Sequence, residues 1–162
     1  MIFVTLGTQD KPFYRLLEAV EKQIKNGTIK EEVIAQIGST NFSSDIMKTI
    51  DYIDIEEFDN LLEKADLVIT HAGVGTIIAG LEKNKKMIVA ARKKQYGEHV
   101  NDHQEQILEN FTERGYILPL KDFDQLDKVL KEVENFVPQK FISNNERFIT
   151  YLTEEIEKLI NR

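Results

Sequence analysis

The run His71-Ala72-Gly73-Val74-Gly75-Thr76 places an imidazole, which can donate or accept a proton, beside two glycines and a hydroxyl. It follows the apolar segment Leu67-Val68-Ile69 and precedes Thr76-Ile77-Ile78-Ala79-Gly80-Leu81, so a buried strand should empty into a turn and then a helix. A helix start exposes unpaired backbone N–H groups and the positive end of the helix dipole. Glycine at two positions lets an anion come close to them, which makes phosphate the first ligand to consider. The same strand, turn and helix also occur in α/β domains as a plain connection, so the motif alone leaves both readings open. His71 itself either meets the anion and orients the loop or makes a structural hydrogen bond within the turn. None of the three histidines is marked as a general base, and His99 reads as an exposed loop residue.

These groups need strands to carry them. Ile2 to Leu6 reads as a first buried strand ending at Gly7-Thr8, followed by a helix that Asp10 or Lys11 can cap, with Pro12 near its first turn. Phe13, Leu16, Leu17, Val20 and Ile24 recur at helical spacing until Asn26-Gly27 stops them. Val33 to Ile37 is a second strand, Thr49 to Ile53 a short third, and Phe58, Leu61, Leu62 and Ala65 mark the next helix. After the central strand and its helix, closed at Asn84, Met87 to Ala91 forms another apolar strand. The charged loop from Arg92 to Asn101 opens with Arg92-Lys93-Lys94, a solvated turn or a local anion contact, and leads to a helix bearing Ile107, Leu108 and Phe111 that closes near Gly115. Tyr116 to Leu118 is the last strand, which Pro119 should blunt.

Strands separated by helices of this length imply crossover connections, hence a doubly wound, mainly parallel, Rossmann-like α/β sheet. Ligands of such sheets bind beyond the carboxyl ends of the strands. Gly7-Thr8, Gly38-Ser39, His71 to Thr76 and the 92–104 loop should therefore share one rim. The segment 122–162 differs, with two helical patterns divided by Pro138 and no strand. In the second, Phe148, Leu152, Ile156 and Leu159 or Ile160 form a stripe flanked by Ile149, which either packs back on the domain or offers a second chain something to hold. Asp122-Phe123-Asp124 formally matches a metal-binding Asp-x-Asp but reads better as a helix cap.

A length of 162 residues with 41% apolar content fits a single domain, residues 1–162, with 122–162 as a helical C-terminal extension. A formal charge of -7 argues against general nucleic-acid binding, and the lack of cysteine rules out disulfides, thiolate metal sites and a cysteine nucleophile. The N-terminus lacks the pattern of a signal peptide, and no apolar run approaches the roughly 20 residues needed to span a bilayer. The expectation is a chain soluble by itself, compatible with the cytoplasm.

Taken together, Leu6-Gly7-Thr8, the 71–76 motif and Gly97-Glu98-His99-Val100-Asn101-Asp102-His103-Gln104 resemble a known family. The chain is similar to the small Alg13/PssE/EpsF-like glycosyltransferase subunits, which correspond to the C-terminal, donor-binding half of a GT-B enzyme of the glycosyltransferase family 28 type. The match covers about residues 1–120 and includes Pro12-Phe13-Tyr14-Arg15-Leu16.

This resemblance implies that His71, Gly73, Val74, Gly75 and Thr76 hold the diphosphate of a UDP-sugar, with Gly7 and Thr8 on its opposite side. Asp102, His103 and Gln104 would read the hydroxyls of the donor sugar, since amide and carboxylate groups suit partners that both donate and accept. The helix after the loop usually carries a glutamate for the ribose three residues beyond the Ser/Thr, where this chain has Ala79 and its nearest acid is Glu82. Either another group makes that contact or nucleotide affinity is reduced.

The implied reaction is an inverting hexosyl transfer without metal or other cofactor, His71 and the Gly75 and Thr76 amides stabilising the leaving phosphate. The general base and a lipid-linked acceptor would come from a membrane-anchored Alg14/PssD-like subunit, holding this chain peripheral to the membrane. Exopolysaccharide or lipid-linked oligosaccharide synthesis is the expected setting. The alternatives are a non-catalytic accessory subunit, which Ala79 favours, and a domain that binds another phosphorylated ligand or a protein; a homodimer through the tail is also open.

Overall fold

The computed structural model describes residues 1–142 together with Thr153, Glu154 and Glu157. The amphipathic stripe at Phe148, Ile149, Leu152, Ile156 and Leu159 or Ile160 lies outside the described residues. The strands β1 (Ile2–Thr5), β2 (Val33–Gln36), β3 (Lys48–Ile50), β4 (Leu67–His71), β5 (Lys86–Ala90) and β6 (Leu118–Pro119) form one sheet in the order β3-β2-β1-β4-β5-β6. Every pair is parallel, and Val4 of β1 lies between Ala35 and Ile69. The doubly wound sheet expected from the alternation of strands and helices is thus present.

Among the described residues the helices that cover it are α1 (Tyr14–Lys25), α2 (Ile55–Lys64), α3 (Val74–Glu82), α4 (His103–Glu113) and α5 (Leu126–Asn135). Side chains alternate across a strand, so β1, β2, β4 and β5 each feed two cores. Val4, Ile69 and Ile88 join Leu16, Leu17 and Val20 of α1 and Leu126 and Leu130 of α5. Phe3, Val68 and Met87 join Leu62 of α2, Ile77 and Leu81 of α3, and Leu108 and Phe111 of α4. Burial on both faces is why these strands read as unbroken apolar runs rather than alternating ones. Among the described residues no helix is long and apolar enough to cross a membrane.

Of the boundaries that differ from expectation, four have an identifiable local reason. The helix expected to be capped at Asp10 or Lys11 starts only at Tyr14, because the Phe13 amide donates to Thr40 Oγ1 at 3.0 Å and the Lys11 carbonyl is held by Arg92. The third strand ends at Ile50 rather than Ile53, since Asp54 leaves the sheet to cap α2, its Oδ1 accepting from the Glu57 amide at 2.8 Å. The last strand runs through Pro119 instead of stopping at it, and the next amide, Leu120, donates to the Val89 carbonyl at 2.7 Å. The fourth, at α3, bears on the site. Asn84 closes α3 as expected, in the left-handed conformation at φ 55°. Asp122 caps as expected, its Oδ1 accepting from the Asp124 amide at 3.0 Å.

Candidate functional site

The chain turns opposite ways from the sheet after β1 and after β4, which are neighbours, so a crevice opens between their carboxyl ends. A cleft of about 540 Å³ lies there, and its lining includes Gly7, Thr8, His71, Gly73, Gly75, Thr76 and Gln104. The turns after β1 and β4 thus meet, as the sequence suggested, and the start of α4 contributes one residue. Val74 is the first residue of α3, beside them. Asp102 and His103 lie at the start of α4 outside this lining; the Asp102 carboxylate accepts from the Lys94 amide at 2.8 Å, and the His103 amide donates to Asn101 Oδ1 at 3.1 Å. Ala79 sits half-buried in α3, and Glu82 is exposed at its end.

Helix α3 begins two residues before the expected start, with Gly73 as its N-cap and no side chain capping it. The first amide to find a helical partner is that of Ile77, which donates to the Gly73 carbonyl at 3.1 Å. The amides of Val74, Gly75 and Thr76 precede it and are the unpaired donors of the first turn. The two glycines of this turn have different reasons. A Cβ on Gly73 would overlap the His71 ring, whereas a Cβ on Gly75 would meet nothing within 4 Å. Gly73 makes room for the histidine; Gly75 leaves room for a ligand.

His71 ends β4 with its ring in the slot between Gly7 and Gly73. Gly7 has a φ of +71° and carries no side chain where the ring stands. The residue is 8% exposed, and burial, reinforced by the Arg92 and His99 charges, pushes its pKa down to about 3. The ring is therefore neutral at physiological pH. Among the described residues its Nε2 is buried without a hydrogen-bond partner. A local movement must uncover that atom before a ligand oxygen reaches it.

Because the folded pKa is lowered, the unfolded chain binds the extra proton between about pH 6.5 and 3. This contribution to stability is complete above pH 6.5 and falls with pH through the window, by at most about 1.4 kcal/mol per unit. Urea unfolding of wild type and His71→Gln from pH 7 to 5 should give the shallower slope for the variant. His99, whose pKa is also lowered by burial, contributes with the same sign to both proteins and cancels in the difference.

The floor is a neutral polar network. Thr5 Oγ1 donates to Gln36 Oε1 at 2.7 Å, and Gln36 Nε2 donates to the carbonyls of Gly7 and Asp51 at 3.1 and 3.0 Å. This joins the turns after β1 and β3. Toward β3 the wall becomes apolar, with Ile53, Ile55 and Phe58 beside Tyr52. An elongated ligand with a flat apolar end and an anionic middle fits the arrangement.

The residues that sequence reasoning missed hold the turns in place. Arg92, expected in a solvated or anion-binding triplet, is 1% exposed. Its guanidinium donates to the carbonyls of Leu6, Lys11 and Glu98 at 2.7, 2.8 and 3.2 Å and lies over the Phe13 ring. Burial lowers its pKa to about 10, so it stays charged at neutral pH. Arg15 grips the Glu98 carboxylate in a bidentate pair at 2.6 and 2.7 Å, its own guanidinium stacked against Tyr96 and Phe123. The Pro-Phe-x-Arg stretch that helped to suggest the family thus ties the 92–102 loop to the turn before α1. Since Glu98 is 4% exposed at its side chain, Arg15→Met leaves a buried charge and should cost about 3–5 kcal/mol in urea unfolding. Adding Glu98→Met should recover part of the loss.

The solution structure of ALG13 superimposes with a TM-score of 0.60 at 23% identity, covering 93% of this chain and 94% of that one. The fold, with its crevice at the β1/β4 switch point, is that of one half of a GT-B glycosyltransferase. The chain belongs to glycosyltransferase family 28, whose C-terminal domain matches residues 1–160. It is 32% identical over 95 residues to the UDP-N-acetylglucosamine transferase subunit ALG13 of Candida albicans, covering 59% of this chain and 28% of that protein. It is also 27% identical over 126 residues to the UDP-N-acetylglucosamine–N-acetylmuramyl-(pentapeptide) pyrophosphoryl-undecaprenol N-acetylglucosamine transferase of Clostridium botulinum, covering 74% of this chain and 34% of that enzyme. The chain therefore spans about a third or less of the length of these two relatives.

Proposed function

We propose that this chain is the donor-binding, catalytic subunit of a two-component inverting glycosyltransferase that uses a UDP-sugar. The observation that carries the reading is the uncapped first turn of α3, with the free amides of Val74, Gly75 and Thr76, at a cleft lined by Gly73, Gly75, Thr76 and the neutral His71. A diphosphate suits these donors, a uracil suits the wall of Ile53 and Phe58, and the names of the two relatives specify a UDP-linked donor.

In the reaction an acceptor hydroxyl attacks the anomeric carbon as the bond to the β-phosphate oxygen breaks, and the UDP leaves with the electron pair. The developing charge falls on α3's N-terminus, which is formed before the reaction begins, and on His71 once its Nε2 is uncovered. The acceptor's proton goes to a base on the other half of the enzyme, a membrane-anchored Alg14/PssD-like subunit that also binds the lipid-linked acceptor. In this setting the chain works at the cytoplasmic face of a membrane in exopolysaccharide or lipid-linked oligosaccharide synthesis. The word "subunit" in the ALG13 name supports the division of labour.

Calorimetric titration of the chain, alone and with its partner, against UDP, GDP and ADP tests the donor site. UDP should bind selectively, and Thr76→Ala should weaken it about tenfold through the lost hydroxyl bond. Failure of UDP to bind in both states overturns the reading. A second reading, a non-catalytic accessory subunit, is favoured by Ala79 at the place of the usual ribose-binding glutamate. Transfer that is unchanged by Thr76→Ala in an intact complex would select it.

A further inference from the structure

Gln104 touches three groups from the first turn of α4, and their chemistry leaves it one orientation. Its Oε1 lies 3.2 Å from the Ala72 amide nitrogen and 3.1 Å from that of Arg92. Backbone amides only donate, so the oxygen of the side chain must face them. Its Nε2 is then turned to the His71 ring, 3.2 Å from Nδ1. An amide N–H cannot accept, so Nδ1 must, and a neutral imidazole that accepts at Nδ1 carries its single proton on Nε2.

The geometry points to Gln104 as a positioning residue that fixes His71 in the Nε2–H tautomer, so that an anionic ligand arriving over Gly7 and Gly73 meets a donor instead of a lone pair. The charged and titratable groups acting on the ring are Arg92, from the end of β5, and His99, from the following loop. Both oppose protonation, as burial does, so the ring cannot gain donors by becoming an imidazolium at neutral pH. Its capacity to donate toward the cleft is decided by the tautomer alone. The same Oε1 ties the end of β4 to the end of β5, which couples the ring's proton to the spacing of the two strands.

The tautomer stands independently of the proposed function; its effect on affinity rests on that reading. Gln104→Glu separates the two because it keeps the shape and the oxygen facing Ala72 and Arg92 but replaces the amide donor with an acceptor. Nδ1 must then carry a proton. Long-range nitrogen–proton correlation spectra of the histidine-labelled chain, without nucleotide, should show Nδ1 bare and Nε2 protonated in the wild type, and Nδ1 protonated in Gln104→Glu. A wild-type spectrum with the proton on Nδ1, or a folded variant with Nδ1 still bare, overturns the assignment. Should the variant not fold, the wild-type spectrum decides alone.

For binding, UDP affinity of Gln104→Glu relative to wild type should fall roughly tenfold to a hundredfold at about pH 9, where the ring is neutral with Nε2 bare. A folded Gln104→Glu chain that shows Nδ1 protonated and still binds UDP as tightly as the wild type would overturn the role. Absence of UDP binding by the wild type would sink the proposed function while leaving the tautomer to its spectrum.

Discussion

Gly75→Val will leave the chain as stable as its parent and abolish nucleotide affinity. Gly75 is exposed in the first turn of α3, and a Cβ added there would have nothing within 4 Å, so the branch starts in open space and valine improves on glycine's helix propensity by a few tenths of a kcal/mol. That open space is where a phosphate has to lie to reach the amides of Val74, Gly75 and Thr76. A branched side chain there removes several charge-assisted hydrogen bonds together, worth about 3 kcal/mol or more and hence roughly a hundredfold or more in affinity. Urea unfolding and UDP calorimetry on the same preparation check both halves. A folded variant with unaltered UDP affinity would move the phosphate away from α3.

Gly7→Ala should cost about 2–5 kcal/mol of stability, from two separable causes. At φ +71° alanine pays about 1–2 kcal/mol for the left-handed conformation. Its Cβ would also run into the His71 ring, and overpacking of this kind costs about 1–3 kcal/mol. Gly27 provides the control: its φ is +78°, but nothing lies within 4 Å of an added Cβ. Gly27→Ala should show the conformational cost alone. Removing the ring with His71→Ala in the Gly7→Ala background should return the steric part, so the double-mutant cycle has a coupling of the size of the overlap. Equal losses at both glycines, without coupling to His71, would mean that the ring readily leaves its slot.

The strands were legible because β1, β4 and β5 are buried on both faces, which writes their positions as apolar runs in the sequence. The strand-to-turn motifs were legible too, and with them the meeting of residues 7–8 and 71–76 at one rim. The start of α1 was not. Asp10, Lys11 and Pro12 have the composition of a helix entry, but an arginine 81 residues away holds the Lys11 carbonyl and Thr40 takes the Phe13 amide. Such partners leave no trace in local pattern.

Arg92 was misread for a related reason. Its acceptors are backbone carbonyls, which every residue possesses, so no residue type elsewhere announces a buried guanidinium. The Arg15–Glu98 pair is visible only as two charges 83 positions apart. Glycine roles were half legible: the sequence marks Gly73 and Gly75 alike as small, and only the His71 ring distinguishes the one that accommodates a side chain from the one that leaves space. Gln104 was marked by its motif, but its bonds to Ala72, Arg92 and His71 require β4, β5 and α4 to be assembled first.

Pro119 also governs how this protein behaves when crowded. Leu120 directs its amide inward to Val89, so by the alternation of a strand the position before it faces the outer margin of β6, and there the chain has no N–H to offer. A strand from another molecule arriving along that margin finds an incomplete template only two residues long. Native sheets are thereby discouraged from joining side to side into fibres at this edge, and the protein can be concentrated without that route to aggregation.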